Sequence, residues 1–157
     1  ETKGLRETLA SGRSQERIPE FSQTGAAYTK SDDIGYSYVE VDLSNQHVYL
    51  IVSGKLVTDS PCVTGCVKNG HGTPDGLYSV TYKESPSVLR GEDYETKVNF
   101  WMPFNRGIGL HDATWRDEFG GDIYYSGGSH GCVNLPYQKA AVIYENIYAG
   151  MPVICYY

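Results

Sequence analysis

Cys132 stands in the run Gly127-Gly128-Ser129-His130-Gly131-Cys132-Val133-Asn134, and upstream lies Leu110-His111-Asp112. A cysteine attacks as its thiolate, and at an ordinary pKa near 8.5 only a few per cent is ionised at pH 7. An adjacent histidine can hold the ionised form as a thiolate–imidazolium pair. Lowering the thiol pKa by about two units needs roughly 2.7 kcal/mol of differential stabilisation. Two histidines compete for that role. His130 is two residues from Cys132 in a glycine-rich loop, where side-chain directions are unconstrained. His111 arrives at the end of a separate predicted strand, which suits a partner across a cleft. Asp112 follows it, with a carboxylate or a backbone carbonyl to fix the imidazole tautomer. The reading assigns Cys132 as nucleophile, His111 as base and Asp112 as orienter, with His130 a structural or substrate-polarising neighbour.

The glycines have a use of their own. They let the backbone approach a substrate closely and adopt positive φ, so that successive N–H groups converge on one point. Acyl transfer needs such donors where an oxyanion develops, each worth about 3 kcal/mol when lost. The N–H groups of His130, Gly131 and Cys132 are the candidates, with Ser129 in support. Asn134, ahead of a predicted helix, caps that helix or braces the loop.

Two blander readings compete. A cysteine in a glycine-rich turn is commonly structural. His71, His111, His130 and Cys132 could instead bind zinc, but the chain has no C-x2-C or H-x3-H spacing. His71 reads as a turn residue, and no metal is assigned. The remaining cysteines, Cys62, Cys66 and Cys155, are too few for a disulfide scaffold and read as buried or half-buried thiols.

The elements that must position these residues are mostly strands. Val39 and Val41 alternate with Tyr38, Glu40 and Asp42, a period of two. Residues 46–52 form a second strand, and Ser53-Gly54 makes a tight turn into a third over 55–58. Residues 61–76 are loop-rich, and 77–82 alternate again. Residues 83–97 are polar and without periodicity, a length that suggests a lid. Residues 98–104 and 108–110 read as short strands feeding His111. One helix is expected after the cysteine: Pro136 opens it, Ala140, Ile143, Tyr144, Ile147 and Tyr148 form its stripe, and Gly150 and Pro152 close it. Residues 151–157 form a final strand. Residues 1–37, broken by Gly12, Pro19 and Gly25, read as a linker or the tail of a preceding domain.

At 157 residues the chain carries one domain, 38–157, able to bury roughly two-thirds of its unfolded surface. A net charge of −6 leaves no basic footprint for nucleic acid. Fourteen tyrosines suit half-wet sheet faces. No apolar run is long enough to cross a membrane, and a start at Glu1 reads as a fragment or processed form.

The signature His111, a spacer, then Ser129-His130-Gly131-Cys132-Val133-Asn134 resembles that of bacterial L,D-transpeptidase catalytic domains, the YkuD-like family. The similarity runs from Tyr38-Val39-Glu40-Val41-Asp42 through Val63-Thr64-Gly65 and Thr73-Pro74-Asp75-Gly76-Leu77-Tyr78 to Pro152-Val153-Ile154. It implies a mainly β fold, a β-sandwich of mixed sheets with one helix after the cysteine loop and a mobile flap over the cleft. It implies that Cys132 attacks the bond before the terminal D-alanine of a tetrapeptide stem, and that an amine of an acceptor stem resolves the thioester into a 3→3 cross-link. Water in place of the amine would make a carboxypeptidase; loss of chemistry would leave a wall-binding module. Carbapenems acylate the corresponding cysteine in many members, and no cofactor is implied. The expected setting is the cell wall outside the cytoplasm, the parent protein anchored to the membrane. Residues 1–37 resemble the end of a domain that precedes the catalytic one in some Gram-positive members. In the expected flap region, Tyr94 and Trp101 are candidate substrate contacts.

Overall fold

The computed structural model describes residues 34–91 and 95–157. Residues 1–33 of the expected linker, and Tyr94, lie outside the described residues.

In chain order the elements are β1 (Tyr38–Asp42), β2 (His47–Val52), β3 (Lys55–Pro61), β4 (Gly76–Ser79), β5 (Ser87–Arg90) and β6 (Glu95–Val98). They continue with β7 (Trp101–Asn105), β8 (Ile108–Asp112), α1 (Ile123–Gly127), β9 (Val133–Leu135), α2 (Tyr137–Asn146) and β10 (Pro152–Tyr156). The fold is mainly β, as expected. Five strands form one sheet in the order β3-β2-β1-β10-β4, and three form another in the order β7-β8-β9. Both sheets are mixed: β1 runs parallel to β10 and β8 parallel to β9, while the other pairs are antiparallel.

The period-two pattern explains the first sheet. Val39 and Val41 on β1, Val48 and Leu50 on β2 and Val153 on β10 are wholly buried. They meet Met102, Leu110, Val133 and Leu135 of the second sheet and Ala140 and Ile143 of α2 in one core. Each large side chain removed from water contributes roughly 1.5–3 kcal/mol, so this packing fixes how β8 and β9 lie. His111 and the residues that follow Cys132 therefore stand on rigid, paired strands.

Three local expectations need correction. The stretch 83–97 is not irregular throughout: β5 and β6 pair as an antiparallel hairpin, Ser87 opposite Val98 through Arg90 opposite Glu95. Pairing satisfies their backbone even though the sequence carries no clear alternation. The short helix α1 was not expected, since five residues rich in tyrosine give no measurable stripe. α2 ends at Asn146, before the stripe does; Ile147 turns to an extended backbone while its N–H still donates to Ile143 O. Ile147 stays buried without being helical.

Candidate active site

Cys132 and His111 line the same cleft, of about 250 Å³, together with Leu89, Thr96, Trp115, Arg116, Gly128, Ser129, His130 and Asn134. His111 lies near the end of β8, Cys132 immediately before β9, and these two strands pair directly. Adjacent parallel strands thus bring together residues distant in sequence. Both side chains are buried, His111 at 4% and Cys132 at 8% exposure.

His111 Nδ1 pairs with the backbone carbonyl of Asp112 at 2.8 Å. A carbonyl only accepts, so Nδ1 carries a proton, and in the neutral ring Nε2 is the acceptor. The Asp112 carboxylate does something else. Its oxygens accept the N–H of Asn99 and of Phe100, each at 2.8 Å, and the Asn99 side-chain amide at 2.7 Å. Of the two ways Asp112 could orient His111, the carbonyl is the one in place, and the carboxylate holds the root of the β5–β6 hairpin.

Burial holds His111 below the usual imidazole range, against the hydrogen bond and charge of Asp112; the charge of Arg116 lowers it further. Burial pushes the Cys132 thiol up to about 11, a backbone contact with Gly109 opposing it. The thiol donates to Gly107 O at 3.6 Å, within reach for sulfur.

The cysteine loop is braced from both sides. Residues 63–66 lie along it: Val63 and Asn134 exchange backbone hydrogen bonds at 3.0 and 2.9 Å, Ser129 N–H donates to Thr64 O, and Cys66 N–H donates to Ser129 O. Ser129 Oγ donates to Cys132 O at 2.6 Å and accepts the Gly131 N–H at 3.0 Å. The Gly131 N–H is therefore engaged within the loop, which removes it from the three expected oxyanion donors. Gly131 itself is held at φ +124°, where a side chain is strained. Its carbonyl accepts the Thr73 hydroxyl at 2.7 Å, and Thr73 Oγ1 in turn accepts the Gly65 N–H at 2.9 Å. Thr73 is buried and is a positioning residue that local pattern did not single out.

His130 is exposed at the cleft wall, its ring 4.9 Å from that of His71. Among the described residues no three His, Cys, Asp or Glu side chains converge closely enough to hold a metal ion. Asn134 does not cap α2, whose first residue follows Pro136 with no side-chain cap. It sits in β9, 2% exposed, facing His111 and Arg116.

Trp101, an expected substrate contact, is buried instead. It packs with Cys132 and Val98, its ring 6.0 Å from His111, and its indole N–H donates to Tyr82 Oη at 3.2 Å. The exposed aromatic in the cleft is Trp115, half exposed, its ring 5.9 Å from His111 on another side. Trp115 and Arg116 were missed, although they follow His111 within five residues and a polar-aromatic segment leaving a strand that ends at a cleft is where such groups arise.

The hairpin separates two clefts. Leu89 and Thr96, paired across β5 and β6, face Cys132. Val88, Arg90 and Lys97, on the alternate face, line a larger cleft of about 760 Å³ with Glu84, Asn99 and Thr114.

Residues 36–155 match the family model described as YkuD, the L,D-transpeptidase catalytic domain. The chain belongs to this family. No curated protein sequence matches it significantly. Among solved structures, a variant of the Enterococcus faecium L,D-transpeptidase superposes with a TM-score of 0.76 at 34% identity, over 99% of this chain and 62% of the other. The catalytic domain of the Enterococcus faecium enzyme acylated by ertapenem gives 0.69 at 38% identity, over 76% of this chain and 96% of that domain. The L,D-transpeptidase from Mycobacterium smegmatis gives 0.66 at 26%, covering 78% of this chain and 59% of its own. The chain thus spans about three-fifths of the first of these relatives.

Proposed function

We propose that this YkuD domain cross-links peptidoglycan stems through a thioester on Cys132. The observation that carries the reading is the tautomer of His111: with Nδ1–H on the Asp112 carbonyl, Nε2 is the acceptor in the cleft that Cys132 lines. Cys132 Sγ attacks the carbonyl between the third stem residue and D-alanine while its proton passes to His111 Nε2. The N–H groups of Cys132 and His130 are the donors offered to the oxyanion. Collapse breaks the C–N bond, His111 returns the proton to the leaving amine, D-alanine departs and a thioester remains. An amine on the third residue of an acceptor stem then attacks, loses its proton to His111, and the thiolate leaves and is reprotonated. The product is a 3→3 cross-link.

Two clefts, one on each face of the β5–β6 hairpin, give room for a donor and an acceptor stem and favour transfer over hydrolysis. Acylation of a 38% identical catalytic domain by ertapenem supports Cys132 as a target of carbapenems here. The reading sets the domain in the cell wall, outside the cytoplasm, with the parent protein anchored to the membrane by a segment beyond this chain. Incubation with a disaccharide-tetrapeptide, followed by mass analysis, tests it. A dimer lacking one D-alanine is expected. Tripeptide alone would make the domain an L,D-carboxypeptidase, and no turnover would leave a wall-binding module.

A further inference from the structure

Arg116 lies in the segment that leaves β8 and lines the cleft with His111, Cys132 and Asn134. Its Nη2 donates to Gly127 O at 2.9 Å. With the Asn134 amide turned so that both its ends meet complementary groups, Arg116 Nε and Nη2 reach the amide oxygen at 2.8 and 3.3 Å. The amide nitrogen then faces His111 Nε2 at 3.1 Å. Asn134 is buried, so these neighbours rather than water decide which way its amide points.

A guanidinium has only donors, so it selects the amide oxygen. What remains for His111 is an N–H, and only an unprotonated Nε2 can accept it. On the opposite side of the ring, Nδ1–H is engaged by Asp112 O at 2.8 Å. The neutral imidazole therefore has both nitrogens satisfied, whereas an imidazolium would aim Nε2–H at another donor. The Cys132 thiol is meanwhile turned to Gly107 O.

We propose that Arg116 is a positioning residue that acts through Asn134 to keep His111 neutral at rest, so that Cys132 loses its proton in the course of attack and not beforehand. The inference rests on the reading of Cys132 and His111 as nucleophile and base. In the transfer the S–H bond breaks, the Nε2–H bond forms, and the sulfur pair goes to the carbonyl carbon; Asn134 must yield its contact as this happens. The charged and titratable groups about His111 are Asp112 on its own strand, Arg116 on the following segment, and Cys132 and His130 on the cysteine loop. Trp101 of β7 and Trp115 flank the ring without charge. Burial acts in the same direction, lowering His111 and raising Cys132.

Nitrogen-15 spectra of the imidazoles across pH, paired with iodoacetamide kinetics at Cys132, test this on the full chain. The wild-type protein should hold His111 as the neutral Nδ1–H form at pH 7, with alkylation slow and rising only toward alkaline pH. Arg116→Met should free the amide to turn its oxygen to Nε2, raising the His111 midpoint by about one unit and speeding alkylation at pH 7 ~tenfold. An imidazolium or Nε2–H form in the wild-type protein at pH 7 would overturn the proposal, even if Arg116→Met does not fold. So would a folded Arg116→Met whose two profiles superpose on the wild type. Acylation by ertapenem is followed in parallel: the expected titrations in a protein that takes no acyl group would support the relay and overturn only the reading of Cys132 as acyl carrier.

Discussion

Asp112 and Asn99 are joined twice: the Asp112 carboxylate accepts both the Asn99 N–H at 2.8 Å and its side-chain amide at 2.7 Å. Asn99 lies between β6 and β7, so this contact ties the root of the hairpin to the strand that carries His111. The same residue holds the His111 ring with its backbone carbonyl. Asp112 thus couples the hairpin to the His111 ring.

Asp112→Asn separates the two duties. The carbonyl on His111 stays, but the new amide nitrogen confronts a donor on Asn99. Because Asp112 is wholly buried, losing this charged acceptor should cost about 1.5–3 kcal/mol in urea unfolding. Loss of its negative charge should also move the acid limb of the acylation profile to lower pH, since that charge raises His111. A variant with wild-type stability and an unmoved limb would count against the coupling.

Backbone conformation governs the cysteine loop. At Gly131, held at φ +124°, an added Cβ would lie 3.0 Å from Ile108 Cδ1. Gly131→Ala should destabilise the fold by ~1–3 kcal/mol and abolish acylation of Cys132. Because the strain is in the backbone, adding Ile108→Val should restore little of either. Full rescue by the double variant would assign the defect to side-chain crowding.

Trp115 offers the converse case, a cleft residue with little structural duty. It is half exposed beside His111. Trp115→Ala should raise the concentration of acyl donor needed for half-maximal rate several-fold, with stability changed by less than about 0.5 kcal/mol. Calorimetry and acylation kinetics on one preparation check both halves.

The stability profile should be bounded on both sides of neutrality. Burial holds His111 below its ordinary 6.5, so below that pH the unfolded chain takes up a proton that the native site refuses. Its contribution is complete above 6.5 and is lost as pH falls toward the native value. The buried thiols act oppositely. Cys132 is pushed from 9.0 to about 11 and Cys155 to about 12, and Cys62 is also raised. Above pH 9 the unfolded chain releases protons that these thiols keep, so stability falls as pH rises. Urea midpoints between pH 5 and 10.5 should peak between about 6.5 and 9. His111→Gln should flatten only the acid side, and Cys155→Ala should weaken the alkaline fall.

The strands and α2 were legible because their information is local. Alternation at Val39 and Val41, and the stripe through Ala140 and Ile143, record burial directly. That Cys132 and His111 share one cleft was legible through residue chemistry and the spacing of one signature. The hairpin of β5 and β6 escaped because Val98 alone of its strand residues is buried, which leaves no strong apolar period. Contacts between distant segments escaped for a different reason. Thr73 on Gly131, the approach of Arg116 to Asn134 and the carboxylate of Asp112 on Asn99 exist only once the sheets have closed. Asp112 marks the boundary: adjacency to His111 pointed to an orienting group, but only backbone geometry chooses carbonyl over carboxylate.

The central claim is that Cys132 carries the acyl group. Intact-mass analysis after incubation with ertapenem, with peptide mapping of the adduct, measures it directly. One equivalent is expected on Cys132 in the wild-type protein, none in Cys132→Ala and strongly slowed addition in His111→Ala. An adduct that persists in Cys132→Ala, or a wild-type protein that takes none, would contradict it.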